Sequence, residues 1–247
     1  MTTSQRPPEY TVRISARSKR ARIEVSHQGA VQVVVPLWFS LQGVPTLIEH
    51  HKKWLQRSLT RLQQRGVQAA VPPSQILLPA IDEQWQLHYM ADKPPHEATT
   101  SSSCKAIIDS TNRAFYELPP EPHRYIPLLQ QWLQQRATEV LPRWLTQLSS
   151  ECALPFNRVT IRHQKTRWGS CSARGNINLN RNLLLLDPAV VRYLLLHELC
   201  HTRHLNHSIR YWQLVERHMP DYRHHDAALR QAGRHLPLWA YPQSNDR

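Results

Sequence analysis

The segment from Asp187 to His201 constrains the fold of this 247-residue chain more than any other segment. Asp187 can accept a hydrogen bond from the first turn of a helix, and Pro188 suits the first helical position. Most of the residues that follow are apolar, Leu194–Leu196 among them, and this indicates a buried helix. The sequence therefore predicts a helix from Pro188 to about Arg203 that carries a few polar side chains into the core.

Three of these polar side chains have the spacing of a metal site. The residues from His197 to His201 read H-E-x-x-H, with Glu198 in second place. Positions four apart on an α-helix differ by about 40° around the axis and about 6 Å along it, so both imidazoles can bind one Zn²⁺ ion. Glu198 lies beside them, within reach of a water molecule on the metal. Because unpaired polar groups are costly to bury, metal binding explains their place in an apolar helix.

A catalytic zinc ion needs a third protein ligand, and three downstream residues are candidates. His207 can return to the metal if the helix ends near Asn206, a residue that suits such a turn. Rigid helical geometry would carry His204 past the metal, and Glu216 would have to come from a following helix. We favour His207. His204 replaces the glycine of the H-E-x-x-H-x-x-G-x-x-H pattern, so the metzincin label does not apply.

Short motifs flank the helix on both sides. They are R-W-G-S-C-S at 167–172, N-I-N-L-N at 176–180, D-P-A-V-V-R-Y-L-L-L-H-E-L-C-H at 187–201, N-H-S at 206–208, Y-W at 211–212 and P-D-Y at 220–222. Together they resemble the YgjP-like metallohydrolase family, which is related to the SprT and WLM zinc proteases. The resemblance implies a zincin-like fold and one Zn²⁺ per chain. It also implies His197, His201 and His207 as ligands and Glu198 as the catalytic carboxylate.

The expected activity is the hydrolysis of a peptide or protein substrate. Three neutral imidazoles leave the metal an open position, where a water molecule becomes more acidic. Glu198 can take a proton from that water and return it to the leaving group. The same chemistry at phosphorus would hydrolyse a nucleoside triphosphate, and we keep a phosphoanhydride hydrolase as the alternative.

The charge balance favours anionic partners. Lys and Arg total 31 against 18 acidic residues, a net charge of +13, so a nucleotide or nucleic acid is a candidate partner and a DNA-associated SprT-like protease is a further alternative. Arg162, Lys165 and Arg167 cluster before Trp168, and these four residues are candidates for substrate binding. The competing interpretation is a solvated basic face with Trp168 as a core anchor.

The cellular compartment is predicted from features that the sequence does not contain. No apolar run approaches the ~20 residues of a membrane helix, and the N-terminal residues are polar, so neither a membrane nor a secretory signal is expected. The four cysteines form no C-x-x-C pair. These features predict a cytoplasmic protein.

The predicted fold class is α+β, with a β-rich N-terminal region over 1–118 and a zincin-like catalytic region over 119–247. The first region is expected to begin with a β-hairpin, whose strands Tyr10–Ser15 and Arg22–Ser26 enclose the basic loop 17–22, and to contain one helix over 44–65. The second is expected to be mostly helical with a short sheet. Pro142 is expected to kink or split a helix over 125–149, and 176–186 is expected to be extended. Turns are predicted at 28–29, 93–95 and 99–103.

Overall fold

The computed structural model describes residues 9–25, 30–69, 72–90 and 106–241. Contacts within the chain divide it into two units, Met1–Val71 and Pro72–Arg247. The three predicted turns at 28–29, 93–95 and 99–103 lie outside the described residues. Among the helices that are described, none is long and apolar enough to cross a membrane.

The first unit contains a three-stranded sheet with a valine-rich strand at its centre. Strands β1 (Tyr10–Ile14) and β2 (Arg22–Val25) both pair with β3 (Val31–Val35), β1 in parallel and β2 antiparallel. The predicted hairpin between β1 and β2 is therefore wrong. The reason is that β3 is the most apolar of the three and is buried on both faces, so it lies between two partners.

The helical part of the first unit has one interruption. Helices α1 (Val44–His50) and α2 (Lys52–Ala69) take the place of the single helix predicted over 44–65. The His51 N–H is shared between the carbonyls of Leu47 and Ile48, at 3.2 and 3.1 Å, so the regular ladder is disturbed there. Both helices contribute to the small core of this unit, whose buried members are Val31, Val33, Val35, Val44, Ile48 and Leu55.

The second unit begins with a four-stranded sheet that shares its core with the longest helix. The strands β4 (Gln75–Leu78), β5 (Glu83–Tyr89), β6 (Ile107–Asp109) and β7 (Ala114–Leu118) have the order β4-β5-β7-β6. Trp85 of β5 and Phe115 of β7 contact Trp132 of α3 (Pro122–Cys152), with ring centroids 4.8 and 5.1 Å apart. Because this sheet packs on α3, the two units divide at residue 71, earlier than the predicted boundary after 118.

Helix α3 passes through Pro142 without a break, so the predicted split does not occur. A proline inside a helix costs about 3 kcal/mol because it removes a hydrogen bond and clashes with the preceding turn. Buried leucines on both sides of it, including Leu133, Leu141 and Leu145, hold the helix against one continuous core. Their burial outweighs the local cost.

A second sheet and three helices complete the unit. The strands β8 (Arg158–Arg162), β9 (Gly169–Cys171) and β10 (Asn176–Asn180) have the order β8-β10-β9. The extended run predicted over 176–186 stops at Asn180, whose side chain accepts from the Asn182 N–H and begins a 3₁₀ turn. The helices are α4 (Pro188–Cys200), α5 (Ile209–His218) and α6 (Tyr222–Ala232). The predicted α+β class is confirmed.

Candidate metal centre

Helix α4 positions the first three residues of the centre. Asp187 Oδ1 accepts from the Ala189 N–H at 2.8 Å and caps the helix as predicted. The helix ends at Cys200, earlier than the predicted end near Arg203, and His201 is its C-terminal cap. His197 and Glu198 therefore lie in the last helical turn, and His201 follows directly.

The chain reverses after α4 and brings a third histidine to the first two. The backbone N–H groups of Arg203 and His204 both donate to the Cys200 carbonyl, at 3.1 and 3.0 Å, which closes the helix. His207 Nε2 then lies 3.2 Å from His201 Nε2 and 3.3 Å from His197 Nε2. Within the described part of the chain, the three histidines form a cluster whose candidate ligand atoms all lie within 4.8 Å of one another.

Hydrogen bonds on the outer side of the rings leave bare nitrogens facing inward. His201 Nδ1 lies 2.9 Å from the His204 carbonyl and donates to it, so a neutral His201 has no hydrogen on Nε2. Tyr193 donates its hydroxyl hydrogen to Asp226 Oδ1 at 3.0 Å, and its oxygen faces His197 Nδ1 at 3.5 Å. Nδ1 is then the donor and Nε2 of His197 is also bare. Two lone pairs therefore point at His207, an arrangement that favours a cation between the rings.

Burial keeps these imidazoles neutral. Burial, together with the positive charges that His201 and His207 would carry, lowers the pKa of His197 to about 3. Burial also lowers the pKa of His201, while the His204 carbonyl acts in the opposite direction. Metal binding requires unprotonated imidazole, so the two rings are in the binding form at neutral pH.

Glu198 is a buried carboxylate with one oxygen unengaged. It is 4 % exposed, and its Oε2 has no hydrogen-bond partner among the described residues. Burial raises the pKa of Glu198 to about 8, while the positive charge of Arg167 acts against this rise. Gly169 of β9 packs directly against it, since a Cβ at that position would lie 2.5 Å from Glu198 Oε1.

Aromatic rings from α5 pack on the histidine cluster. Tyr211 stacks on His201 with ring centroids 4.6 Å apart, and its hydroxyl donates to the His197 carbonyl at 3.1 Å. Trp212 stacks on His207 at 5.5 Å. Tyr211 and Trp212 therefore fix the orientations of the His201 and His207 rings.

The other two candidates for the third ligand lie outside the cluster. His204 contributes its backbone carbonyl to His201, and its side chain is half-buried. Glu216 is exposed and pairs with Arg223, with an oxygen–nitrogen distance of 3.4 Å.

Three of the four candidate substrate-binding residues come together at one cavity. Lys165, Arg167 and Trp168 line it, in the loop between β8 and β9. Arg162 does not line this cavity, and its Nε donates to Asn178 Oδ1 on the neighbouring strand at 3.3 Å.

Sequence reasoning missed Gly169, Tyr193 and Asp226. Tyr193 precedes His197 by one helical turn, so its proximity could have been inferred from the predicted helix. A glycine beside a strand, in a chain with only 6 glycines, is a signal of close approach by another group. Asp226 comes from α6, and no local pattern indicates it.

Comparison with known proteins gives one family and two solved structures. A family profile described as "YgjP-like, metallopeptidase domain" matches residues 19–232. The metallopeptidase zymogen of Pyrococcus abyssi abylysin is 23% identical with a TM-score of 0.35, and the alignment covers 38% of this chain and 94% of abylysin. The metallopeptidase zymogen of Methanocaldococcus jannaschii jannalysin is 18% identical with a TM-score of 0.32, over 36% of this chain and 91% of its own. No curated protein matches significantly.

The range matched by the family includes the whole histidine cluster and most of the chain, so this protein is an enzyme of the metallopeptidase class. The chain belongs to the YgjP-like metallopeptidase family. The resemblance inferred from the sequence motifs is thereby confirmed.

Proposed function

We propose that this enzyme is a zinc-dependent peptidase in which His197, His201 and His207 hold one zinc ion per chain and Glu198 is the general base. The convergence of the three imidazole nitrogens is the observation that carries the proposal. Nitrogens bound to a tetrahedral zinc ion at about 2.0–2.1 Å lie about 3.3 Å from one another. The separations of 3.2 and 3.3 Å from His207 Nε2 to its two neighbours fit this geometry.

The surroundings of the three rings also suit a divalent cation. The Nδ1 atoms of His197 and His201 face oxygen acceptors, which directs their Nε2 lone pairs inward. Three neutral histidines leave one tetrahedral position open, as in catalytic rather than structural zinc sites. A bound zinc ion would polarise a peptide carbonyl and make a water molecule more acidic.

Glu198 supplies the proton transfers that peptide hydrolysis needs. A zinc ion bound nearby would favour the ionised form of this carboxylate against the effect of burial. The unengaged Oε2 can then accept a proton from the attacking water, and the protonated carboxyl can deliver that proton to the leaving amine. Gly169 on one side and the buried surroundings on the other restrict the rotation of this carboxylate. A base that is held near its reactive geometry loses less conformational entropy on reaching the transition state.

The metal content of purified protein tests the ligand set. We expect about one zinc per wild-type chain, a large loss in His207→Ala, and full retention in the matched control His204→Ala. The control removes a neighbouring imidazole but keeps the backbone carbonyl that His201 uses. Full zinc content in His207→Ala would overturn the proposed ligand set.

A second variant tests the base separately from the metal. Glu198→Gln should keep its zinc and lose most of its cleavage of a peptide mixture, measured by mass spectrometry of the products. Undiminished cleavage by this variant would exclude Glu198 as the base.

A further inference from the structure

A cavity of about 140 Å³ lies between the β8–β9 loop and the C-terminal segment of the described chain. The loop wall carries Lys165, Arg167 and the aromatic ring of Trp168. The C-terminal wall carries the apolar or aromatic side chains of Leu236 and Tyr241. The cavity therefore suits a group that has both an apolar part and a charged end.

The charged residues that line this cavity are all positive. Lys165 and Arg167 are the two charged residues among those that line it, and both are exposed. Neither forms an ion pair with any described residue. Two exposed cations that form no ion pair produce a positive potential that attracts an anion.

Both walls are held in place by buried hydrogen bonds. The Asn180 side chain donates to the carbonyls of Gln164 and Arg167, at 2.8 and 2.9 Å, and fixes the loop. The Gln130 side chain donates to the Tyr241 carbonyl at 2.7 Å and fixes the C-terminal segment. A ligand would meet a site formed in advance, which reduces the entropy cost of binding.

The loop that lines the cavity leads into strand β9, which packs against the carboxylate that we propose as the base. Gly169, two residues after Arg167, packs against Glu198, and a Cβ there would lie 2.5 Å from Glu198 Oε1. The charge of Arg167 also acts on Glu198. A substrate that is cleaved beside Glu198 can therefore extend along this loop and place a further group in the cavity.

We infer that this cavity is a substrate subsite for a peptide carboxylate, with Lys165 and Arg167 as its anion-binding residues and Trp168 as an apolar contact. The carboxylate comes either from an acidic side chain or from the free C-terminus of the substrate. The inference rests on the proposed peptidase function and adds a substrate class to it.

Cleavage of a randomised synthetic peptide library by the zinc-loaded protein tests the subsite. Lys165→Glu reverses one of the two charges, and Arg162→Glu is the matched control because Arg162 is also an exposed cation but does not line the cavity. Library members carry either a free or an amidated C-terminus, so the two sources of carboxylate can be distinguished.

We expect the wild type to favour Asp or Glu at one fixed distance from the cleaved bond, or to cleave at a fixed distance from a free C-terminus. Lys165→Glu should lower this preference by about 10-fold or more, whereas Arg162→Glu should keep it. A wild-type preference for neutral or basic residues at every position, or an unchanged preference in Lys165→Glu, would overturn the subsite.

Glutarate binding, measured by ligand-observed NMR, tests the subsite independently of peptide cleavage. The three proteins compared are the zinc-loaded wild type, Lys165→Glu and Arg162→Glu. Any contact between glutarate and zinc is common to all three, so a loss confined to Lys165→Glu reports the cavity. If that loss occurs and the wild type cleaves no peptide, the subsite stands and the proposed function fails. Equal binding by all three proteins would contradict the subsite.

Discussion

At the scale of single residues, the close contact between Gly169 and Glu198 is the tightest constraint near the metal centre. Glu198 is buried with Oε2 unengaged. An unpaired buried oxygen is costly and calls for an explanation, and a part in catalysis supplies one. The missing side chain at Gly169 is what makes room for this carboxylate. A residue without a side chain thus determines where the carboxylate can lie.

Gly169→Ala should reduce peptide cleavage without removing the metal. The added methyl group would lie 2.5 Å from Glu198 Oε1, so the carboxylate must move, and a misplacement of about 1 Å can cost about 100-fold in rate. We expect a fall in kcat with unchanged zinc content, measured by steady-state kinetics and elemental analysis.

Ser170→Ala is the matched control, because it changes the next residue of the same strand and adds no atom. It should leave kcat close to the wild-type value. Wild-type kinetics in Gly169→Ala would show that the contact with Glu198 has no part in positioning the base.

At the scale of secondary structure, two helices cooperate to orient His197. Tyr193 lies one turn before it on α4, and Asp226 on α6 accepts the Tyr193 hydroxyl at 3.0 Å. Arg230, one turn further along α6, pairs with Asp226 at 2.7 Å. The spacing of one helical turn is used three times here: for Tyr193 and His197, for His197 and His201, and for Asp226 and Arg230.

Tyr193→Phe should weaken metal binding while the protein remains folded. The loss of the hydroxyl leaves His197 Nδ1 without its oxygen acceptor, and such changes typically lower metal affinity by about 10-fold to 100-fold. Competition with a coloured chelator measures the zinc dissociation constant. Tyr222→Phe removes the hydroxyl of another buried tyrosine and should leave the zinc dissociation constant unchanged. Equal affinity in the wild type and both variants would contradict the orienting role of Tyr193.

Prediction from the sequence succeeded where a pattern is local and failed where a partner is distant. The cap of the helix and the place of His197 on it depend on neighbours within a few residues, and α4 has both as expected. The pairing of β1 with β3 depends on a competition between strands that no local pattern encodes. The early end of α4 at Cys200 and the contact of Asp226 with Tyr193 likewise depend on packing between elements.

At the scale of the whole molecule, the histidine cluster and Glu198 belong entirely to the unit Pro72–Arg247. The four-stranded sheet of that unit contributes Trp85 and Phe115 to the core around α3. A boundary after 118 would remove both of these rings and expose the Trp132 surface that they cover.

A fragment over 72–247 should therefore fold and bind one zinc ion, whereas a fragment over 119–247 should not fold. Circular dichroism during thermal unfolding and elemental analysis check both expectations. Equal stability and zinc content of the two fragments would support the boundary after 118 instead.

The partly buried pair of Glu83 and Arg136 should make the stability of this unit depend on pH. Burial by itself would raise the pKa of Glu83, but hydrogen bonds from Arg136 and Trp85 lower it below its ordinary value of 4.5. The ionised carboxylate therefore stabilises the folded state above pH 4.5, and this contribution is lost as the pH falls through the lower folded-state pKa.

Glu83→Gln tests this pair through its pH dependence. Urea unfolding should show a loss of about 2 kcal/mol at pH 7, less than for a fully buried pair because the Arg136 side chain is 29 % exposed. The difference between the two proteins should shrink below pH 4.5. A difference that stays constant down to pH 3 would contradict the ionic origin of the stabilisation.

The stacking of Trp212 on His207 has an optical consequence. An indole ring 5.5 Å from an imidazole of the cluster is close enough for its fluorescence to respond to a metal ion that His207 would bind under the proposed function. Cobalt in place of zinc would quench this emission, and Trp212→Phe would abolish that part of the quenching. Under the proposed function, Trp212 would report metal occupancy, and loading could be followed in real time without any added dye.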